Sequence, residues 1–200
     1  MKIICIGRNY AEHAKEMKSE VPTEPVFFMK PDTALLKEGE FYIPEFSNEI
    51  HHEIELVLKI CKNGKHIEEE FAHKYFEEIG LGIDFTARDV QANCKAKGLP
   101  WEKAKAFDNS APIGKFVNKN NLKGDINFEL KINGDSRQIG NSKDIIFSFE
   151  KVISYVSRFV TLKTGDLIFT GTPEGVGAVH AGDKLEGFIN GESFLKLNIR

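Results

Sequence analysis

The sequence predicts an α+β fold that is rich in β-structure and carries a few helices. Asn-Gly dipeptides at 63–64, 133–134 and 190–191 each follow a strand-like run, as two-residue hairpin turns do. Roughly ten short apolar or alternating segments punctuated by turn residues are spread along the chain. The regular β-α-β alternation and the GxGxxG turn of a dinucleotide-binding fold are missing.

The elements follow in order. Residues 2–6 are β-branched and apolar and predict a strand, which Gly7-Arg8-Asn9-Tyr10 breaks. Residues 10–18 suit a helix with Asn9 as its N-cap. Pro22 and Pro25 make 20–25 a loop, and 26–29 and 39–44 read as short strands. Residues 53–60 predict a longer strand that runs into Asn63-Gly64, a type I′ turn signal. Residues 68–79 read as an amphipathic helix closed by Gly80, and 81–85 as a strand. A polar helix over 87–97 is stopped by Gly98-Leu99-Pro100. Residues 126–132 alternate up to Asn133-Gly134. Phe149, Val152, Ile153, Val156, Phe159 and Val160 recur at helical spacing. Residues 167–170 form a short strand, and 184–189 and 194–199 flank Asn190-Gly191. No linker interrupts this order, so a single domain over 1–200 is expected.

Composition narrows the function. A chain of 200 residues buries a sizeable core without disulfides, and its sixteen phenylalanines predict a Phe-rich one. The formal net charge of −3 offers no basic footprint for nucleic acid and no polybasic patch for a membrane surface. Cys5, Cys61 and Cys94 are odd in number and lack CxxC spacing, so they read as reduced thiols of a cytoplasmic protein. Ile3-Ile4-Cys5-Ile6 is too short for a signal-peptide core, and no apolar run approaches the ~20 residues that span a bilayer.

The chemistry centres on His51-His52-Glu53-Ile54-Glu55-Leu56-Val57-Leu58. On a strand, residues two apart share a face, so Glu53 and Glu55 project together with His51, and Ile54, Leu56 and Leu58 line the buried face. Paired carboxylates suit a hard divalent cation, but they equally suit a solvated acidic face. Asp84, in Gly82-Ile83-Asp84-Phe85-Thr86, is a third carboxylate at a strand end, or else a helix cap. Three carboxylates around one divalent ion leave a net charge of about −1, so an anionic substrate needs further cations. Lys30, Arg88 and Lys105 are available. His13 and Glu16 are three apart on the predicted first helix, where a carboxylate fixes an imidazole tautomer and makes it a base, unless the pair is merely a solvated helix face. Thr170-Gly171-Thr172-Pro173-Glu174-Gly175 is a glycine-rich turn whose N–H groups suit an anion, or a plain turn.

Taken together, these motifs resemble the fumarylacetoacetate hydrolase superfamily, in its short single-domain branch of acylpyruvases and oxaloacetate decarboxylases. The matching stretches are Gly7-Arg8-Asn9-Tyr10 with His13 and Glu16, Phe28-Met29-Lys30-Pro31, His51-His52-Glu53-Ile54-Glu55-Leu56, Asp84-Phe85-Thr86-Ala87-Arg88-Asp89-Val90-Gln91, Lys97-Gly98-Leu99-Pro100-Trp101, Lys105, and Thr170-Gly171-Thr172-Pro173 with Gly175-Val176-Gly177. The resemblance implies a mixed β-roll with peripheral helices, commonly a homodimer. It implies Mg²⁺ or Mn²⁺ on Glu53, Glu55 and Asp84. It implies His13 with Glu16 as a water-activating dyad on a lid, and Lys105 beside the substrate carbonyl. It implies Lys30, Arg88, Gln91 and Thr172 at the substrate carboxylate; His51, which no family role claims, is expected behind the metal ligands. The implied activity is cleavage of a C–C bond in a 2-oxo acid: hydrolysis of acylpyruvates, decarboxylation of oxaloacetate, or both. Two alternatives stand beside it, an isomerase or hydratase of 2-oxo acids and a dicarboxylate-binding module without turnover.

Overall fold

The computed structural model describes residues 1–16 and 20–200. In chain order its elements are β1 (Ile3–Gly7), α1 (Ala11–Glu16), β2 (Val26–Lys30), β3 (Leu35–Leu36), β4 (Glu40–Phe41), β5 (Ile50–His52), β6 (Ile54–Ile60), β7 (Phe76–Ile83), β8 (Thr86–Ala87), α2 (Arg88–Ala96), α3 (Glu102–Lys105), β9 (Ala111–Asn118), β10 (Asn127–Ile132), β11 (Asp135–Asn141), α4 (Phe149–Phe159), β12 (Leu167–Phe169), β13 (Gly177–Ala178), β14 (Lys184–Ile189) and β15 (Glu192–Ile199), with short 3₁₀ turns between some of them. Residues 17 and 18 of the predicted first helix lie outside the described residues.

The strands make three sheets: a seven-stranded one ordered β2-β1-β12-β6-β7-β9-β3, a five-stranded one ordered β11-β10-β14-β15-β4, and a small one ordered β13-β5-β8. Most pairs are antiparallel; β1–β12, β3–β9 and β4–β15 are parallel. The fold is therefore mixed and β-rich, as predicted. Ile54, Leu56 and Leu58 of β6 are fully buried in the main core, and Val57 packs into a second apolar cluster on the opposite face. That core is chiefly Ile, Leu and Val; Phe41 and Phe85 stack within it at 4.0 Å, whereas Phe46, Phe71 and Phe159 are exposed. The single amphipathic stripe of α4 buries Val152, Ile153 and Val156, and Ser148 caps its first turn by accepting from Lys151 N.

Two Asn-Gly turns form as predicted, with positive φ at both residues: Asn133 and Gly134 between β10 and β11, and Asn190 and Gly191 between β14 and β15. Asn63-Gly64 does not. Gly64 instead bridges to Leu162, and Asn63 Oδ1 accepts from Thr164 N, so this turn docks onto the chain after α4. The predicted helix over 68–79 is a correction too: a 3₁₀ turn at Glu69–Lys74 is followed by β7. Pairing with β6 and β9 outweighs local helical spacing there. Gly82 makes that pairing possible, since a Cβ would lie 2.5 Å from the Phe169 ring. Strand β9 had no strand signal, because Pro112 and Gly114 interrupt it; Gly114 is needed where a Cβ would meet Phe194 O at 2.1 Å.

Candidate active site

The site grows from a paired interruption. The β6–β7 ladder ends at Ile54–Ile83, and the β5–β8 ladder resumes at His51–Thr86 and Ile50–Ala87. Glu53 occupies the gap on one side and Asp84 the gap on the other, joined by a 2.8 Å bond from Asp84 N to Glu53 O. Both side chains are thereby turned toward Glu55, the second residue of β6. All three are buried, and each offers an oxygen within 4.8 Å of the others.

Cations surround this cluster. Lys105 Nζ donates to Glu53 Oε2 at 2.8 Å and to Asp84 Oδ2 at 2.7 Å. Arg88 donates to Glu53 Oε1 at 2.6 Å, and Thr86 Oγ1 adds a bond to the same oxygen at 3.1 Å. Burial opposes ionisation of Glu53, but the Lys105 and Arg88 charges together hold its carboxyl well below the usual carboxylate range. Burial alone would lower the Lys105 ammonium; Asp84 and Glu53 overcome it and push it up. Glu55 has no such neighbour. Burial, then the charges of Asp84 and Glu53, raise its carboxyl well above the ordinary value; the Gly171 N–H, 2.6 Å from Oε2, and the more distant Lys105 charge oppose them without overcoming them. The donor set fits a hard divalent cation: three buried carboxylates, one of them destabilised by its neighbours, and an Asp84 Oδ1 that makes no hydrogen bond. Lys30 Nζ lies 2.7 Å from that oxygen as an ion pair but outside hydrogen-bond geometry.

The cavity above the cluster is lined by His13, Arg88, Gln91, Lys105 and Thr172 together with the three carboxylates. His13 Nδ1 donates to Glu16 Oε2 at 3.0 Å, which leaves Nε2 as the basic nitrogen. Glu16 also accepts from Gly175 N at 3.1 Å. The glycine-rich turn thus spends the N–H groups of Gly171 and Gly175 on Glu55 and Glu16, and brings the Thr172 side chain to the cavity. Gly171 holds φ +102°, and a Cβ there would lie 2.7 Å from Asn9 Cβ.

Lys30 and His51 do not line the cavity. Lys30, expected at the substrate carboxylate, is buried behind Asp84 and donates to Ser110 O at 2.9 Å and Ser110 Oγ at 3.0 Å. His51, expected on the carboxylate face and behind the metal ligands, bonds to Glu49 at 2.8 Å and accepts from Arg88 Nε at 3.4 Å, so it stands behind Arg88, which itself bonds to Glu53, and not beside a carboxylate of the cluster. The interruption at residue 53 removes it from the register of a continuous strand. Burial and the Arg88 charge push its imidazole down.

Sequence reasoning missed Arg8, Phe28, Lys95 and Trp101, which also line the cavity. Arg8, Phe28 and Trp101 lie inside matched motifs, so the signal was available. It also missed Gln138. This β11 side chain is 1% exposed; its Oε1 accepts from Ile54 N at 3.0 Å and from His52 Nδ1 at 2.8 Å. Its Nε2 donates to Thr172 Oγ1 at 2.8 Å and Pro173 O at 2.9 Å. The two backbone partners fix the amide orientation. Gln138 therefore clamps the strand interruption to the turn carrying Thr172, and no local pattern around it announces this.

A mixed β-roll with buried carboxylates, lysines and a His–Glu pair at one cavity defines a class, and the comparisons name it. The profile of the fumarylacetoacetate hydrolase C-terminal family matches residues 2–199, and the chain belongs to that family. It is 45% identical over 201 residues to the mitochondrial oxaloacetate tautomerase of Mus musculus, covering 99% of this chain and 91% of that one. It is 44% identical over 196 residues to the oxaloacetate tautomerase of Escherichia coli (strain K12), covering 96% and 90%. Among solved structures, the fumarylpyruvate hydrolase of Pseudomonas aeruginosa in complex with Mn²⁺ and pyruvate superposes with a TM-score of 0.94 at 39% identity, covering 100% of this chain and 89% of that one.

Proposed function

We propose that this protein is a metal-dependent enzyme of small 2-oxo acids that interconverts the keto and enol forms of oxaloacetate, with Glu53, Glu55 and Asp84 holding Mg²⁺ or Mn²⁺. The observation that carries the reading is the single cavity in which these carboxylates face His13 and Lys105. The identity to two oxaloacetate tautomerases supports the substrate. A divalent ion held there would supply Lewis acidity to the 2-oxo acid head of the substrate.

The protein's own groups do the rest. His13 Nε2 takes a proton from the carbon beside the keto group, and the keto oxygen gains one to complete the enol; in the reverse direction the enol oxygen loses its proton and His13 delivers one to that carbon, while Glu16 keeps the other ring nitrogen protonated. The Lys105 ammonium offers a donor to the oxygen on which negative charge develops. Arg88, Gln91 and Thr172 hold the carboxylate next to the keto group. A second reading is supported by the fumarylpyruvate hydrolase neighbour: the same nitrogen deprotonates a water that attacks the distal carbonyl of an acylpyruvate. The C–C bond then breaks, the water oxygen stays with the released acid, and the other fragment leaves as pyruvate. Decarboxylation of oxaloacetate needs no water at all. Residues 1–200 are read as one catalytic domain because no linker interrupts them, the unpaired cysteines support a cytoplasmic setting, and family resemblance supports a homodimer.

The test is enol–keto conversion of oxaloacetate beside pyruvate release from oxaloacetate, acetylpyruvate and fumarylpyruvate, each with Mg²⁺ and with chelator. Faster conversion with Mg²⁺ and its loss on chelation are expected. Full activity in chelator, or no activity on any of the three, refutes the reading.

A further inference from the structure

Charge around the cavity does not cancel. Arg88 and Lys105 are paired with Glu53, Lys105 also with Asp84, and Lys30 stands behind Asp84. Two more permanent cations, Arg8 and Lys95, line the same cavity, yet neither pairs with an acidic group among the described residues. The cavity thus holds more positive charge than its three carboxylates balance, before any metal ion is counted.

The backbone of Arg8 is held in place, and the exposed Lys95 side chain is directed to the cavity wall by a ring. Arg8 sits at φ +60°, a left-handed conformation that a non-glycine residue keeps only when its surroundings impose it. The neighbouring Asn9 imposes it: its fully buried amide donates to Thr170 O at 2.8 Å and Phe147 O at 3.1 Å and accepts from Phe147 N at 2.8 Å. Lys95, in the last turn of α2, has its ammonium 5.4 Å over the Trp101 ring at the cavity wall. Burial and the nearby charges of Arg88, Arg8 and Lys105 push that ammonium down, as expected where cations crowd without an anion.

We propose that Arg8 and Lys95 form a subsite for a second, distal carboxylate, so that the site selects 2-oxo dicarboxylates over 2-oxo monocarboxylates. The inference builds on the 2-oxo acid reading above. The head of the substrate uses the carboxylate cluster with Arg88, Gln91 and Thr172. A carbon skeleton ending in a methyl or phenyl group leaves Arg8 and Lys95 uncompensated, and one ending in a carboxylate neutralises them.

The experiment compares R8Q, K95Q and the double variant with wild type and with K95R, in the presence of Mg²⁺. The first readout is the ratio of kcat/KM for oxaloacetate over that for enol-phenylpyruvate. The ratio is expected to fall about tenfold or more in each neutral variant, chiefly through KM for oxaloacetate, and to hold within about threefold in K95R. A calorimetric titration with 2-oxoglutarate and with 2-oxopentanoate, which differ only in the distal carboxylate, is the second. Wild type should favour the dicarboxylate, and the double variant should lose that preference. Equal loss on both substrates, or a preserved preference in the double variant, overturns the assignment. A protein that turns over neither substrate refutes the proposed function, and the titration still decides the subsite.

Discussion

Lys105→Met gives the sharpest test of how the cluster is balanced. The ammonium is 4% exposed and bonds to Glu53 at 2.8 Å and Asp84 at 2.7 Å. Methionine nearly conserves the volume under the Phe28 ring, which the ammonium faces at 5.1 Å, so the loss is electrostatic and not a cavity. Removing one partner of a buried ion pair costs about 3–5 kcal/mol. For a chain of this size each kcal/mol lowers Tm by about 2–4 °C, so the metal-free variant should melt about 6–20 °C below wild type. A divalent ion on the same carboxylates supplies the missing positive charge, and with saturating Mg²⁺ the gap should shrink by half or more. The assay is thermal unfolding of both proteins at about pH 8, in chelator and in Mg²⁺, conditions that keep Glu53 ionised. An equal gap in both media would mean that lysine and metal do not share these oxygens. In turnover, kcat should fall by about 10² or more; a change confined to KM would reduce Lys105 to ground-state binding.

Three further outcomes follow from the geometry. His13→Ala should slow acylpyruvate hydrolysis by about 10²–10⁴ and oxaloacetate decarboxylation less, measured as pyruvate release; equal losses would remove the water-activating role. Gln138→Glu keeps an acceptor for Ile54 N but loses both donors to the Thr172 turn, leaving buried acceptors unmet at about 1–3 kcal/mol each; KM should rise and Tm drop, and a wild-type KM would rule out the clamp. Glu55, raised above the ordinary value of about 4.3, keeps a proton in the metal-free native state that the unfolded chain releases. Stability in chelator should therefore fall as pH rises from about 5 through that raised value, and Glu55→Gln should abolish the fall. His51 and His52 are pushed down, chiefly by burial, and act oppositely, losing stability below about pH 6.5, so the readout is the wild-type minus variant difference; a difference flat with pH would contradict the shift.

Much of this architecture was legible where one interaction is local. The Asn-Gly turns at 133 and 190 needed only positive φ and a register of two residues. The apolar alternation of β6 read directly as a buried face. What escaped was set by distant partners. Asn63-Gly64 carries the same dipeptide, but its strand pairs elsewhere and the turn serves Leu162 and Thr164. Lys30 carries the same charge as Arg8 and Lys95, and only the packing of β2 against Ser110 and Asp84 decides that it faces inward. Gln138 lies 84 residues from the Ile54 N–H it holds, and no periodicity connects them.

The interruption at Glu53 also escaped, and it explains why the three carboxylates are not equivalent. On a regular strand Glu53 and Glu55 would sit side by side, equally crowded and equally solvated. The break moves Glu53 out to meet Arg88, Lys105 and Thr86, and gives Asp84 two lysines. Glu55 stays on the strand with one backbone N–H. Glu53 and Asp84 are thus met by side-chain cations in direct contact, and Glu55 is not. A side-chain cation bonded to Glu55 as well would close the site. Its lack leaves a carboxylate that is comfortable only when protonated or when it shares a cation with its neighbours. That asymmetry favours an exchangeable ion over a purely structural ion-pair network, and it locates the gain on binding mainly at Glu55.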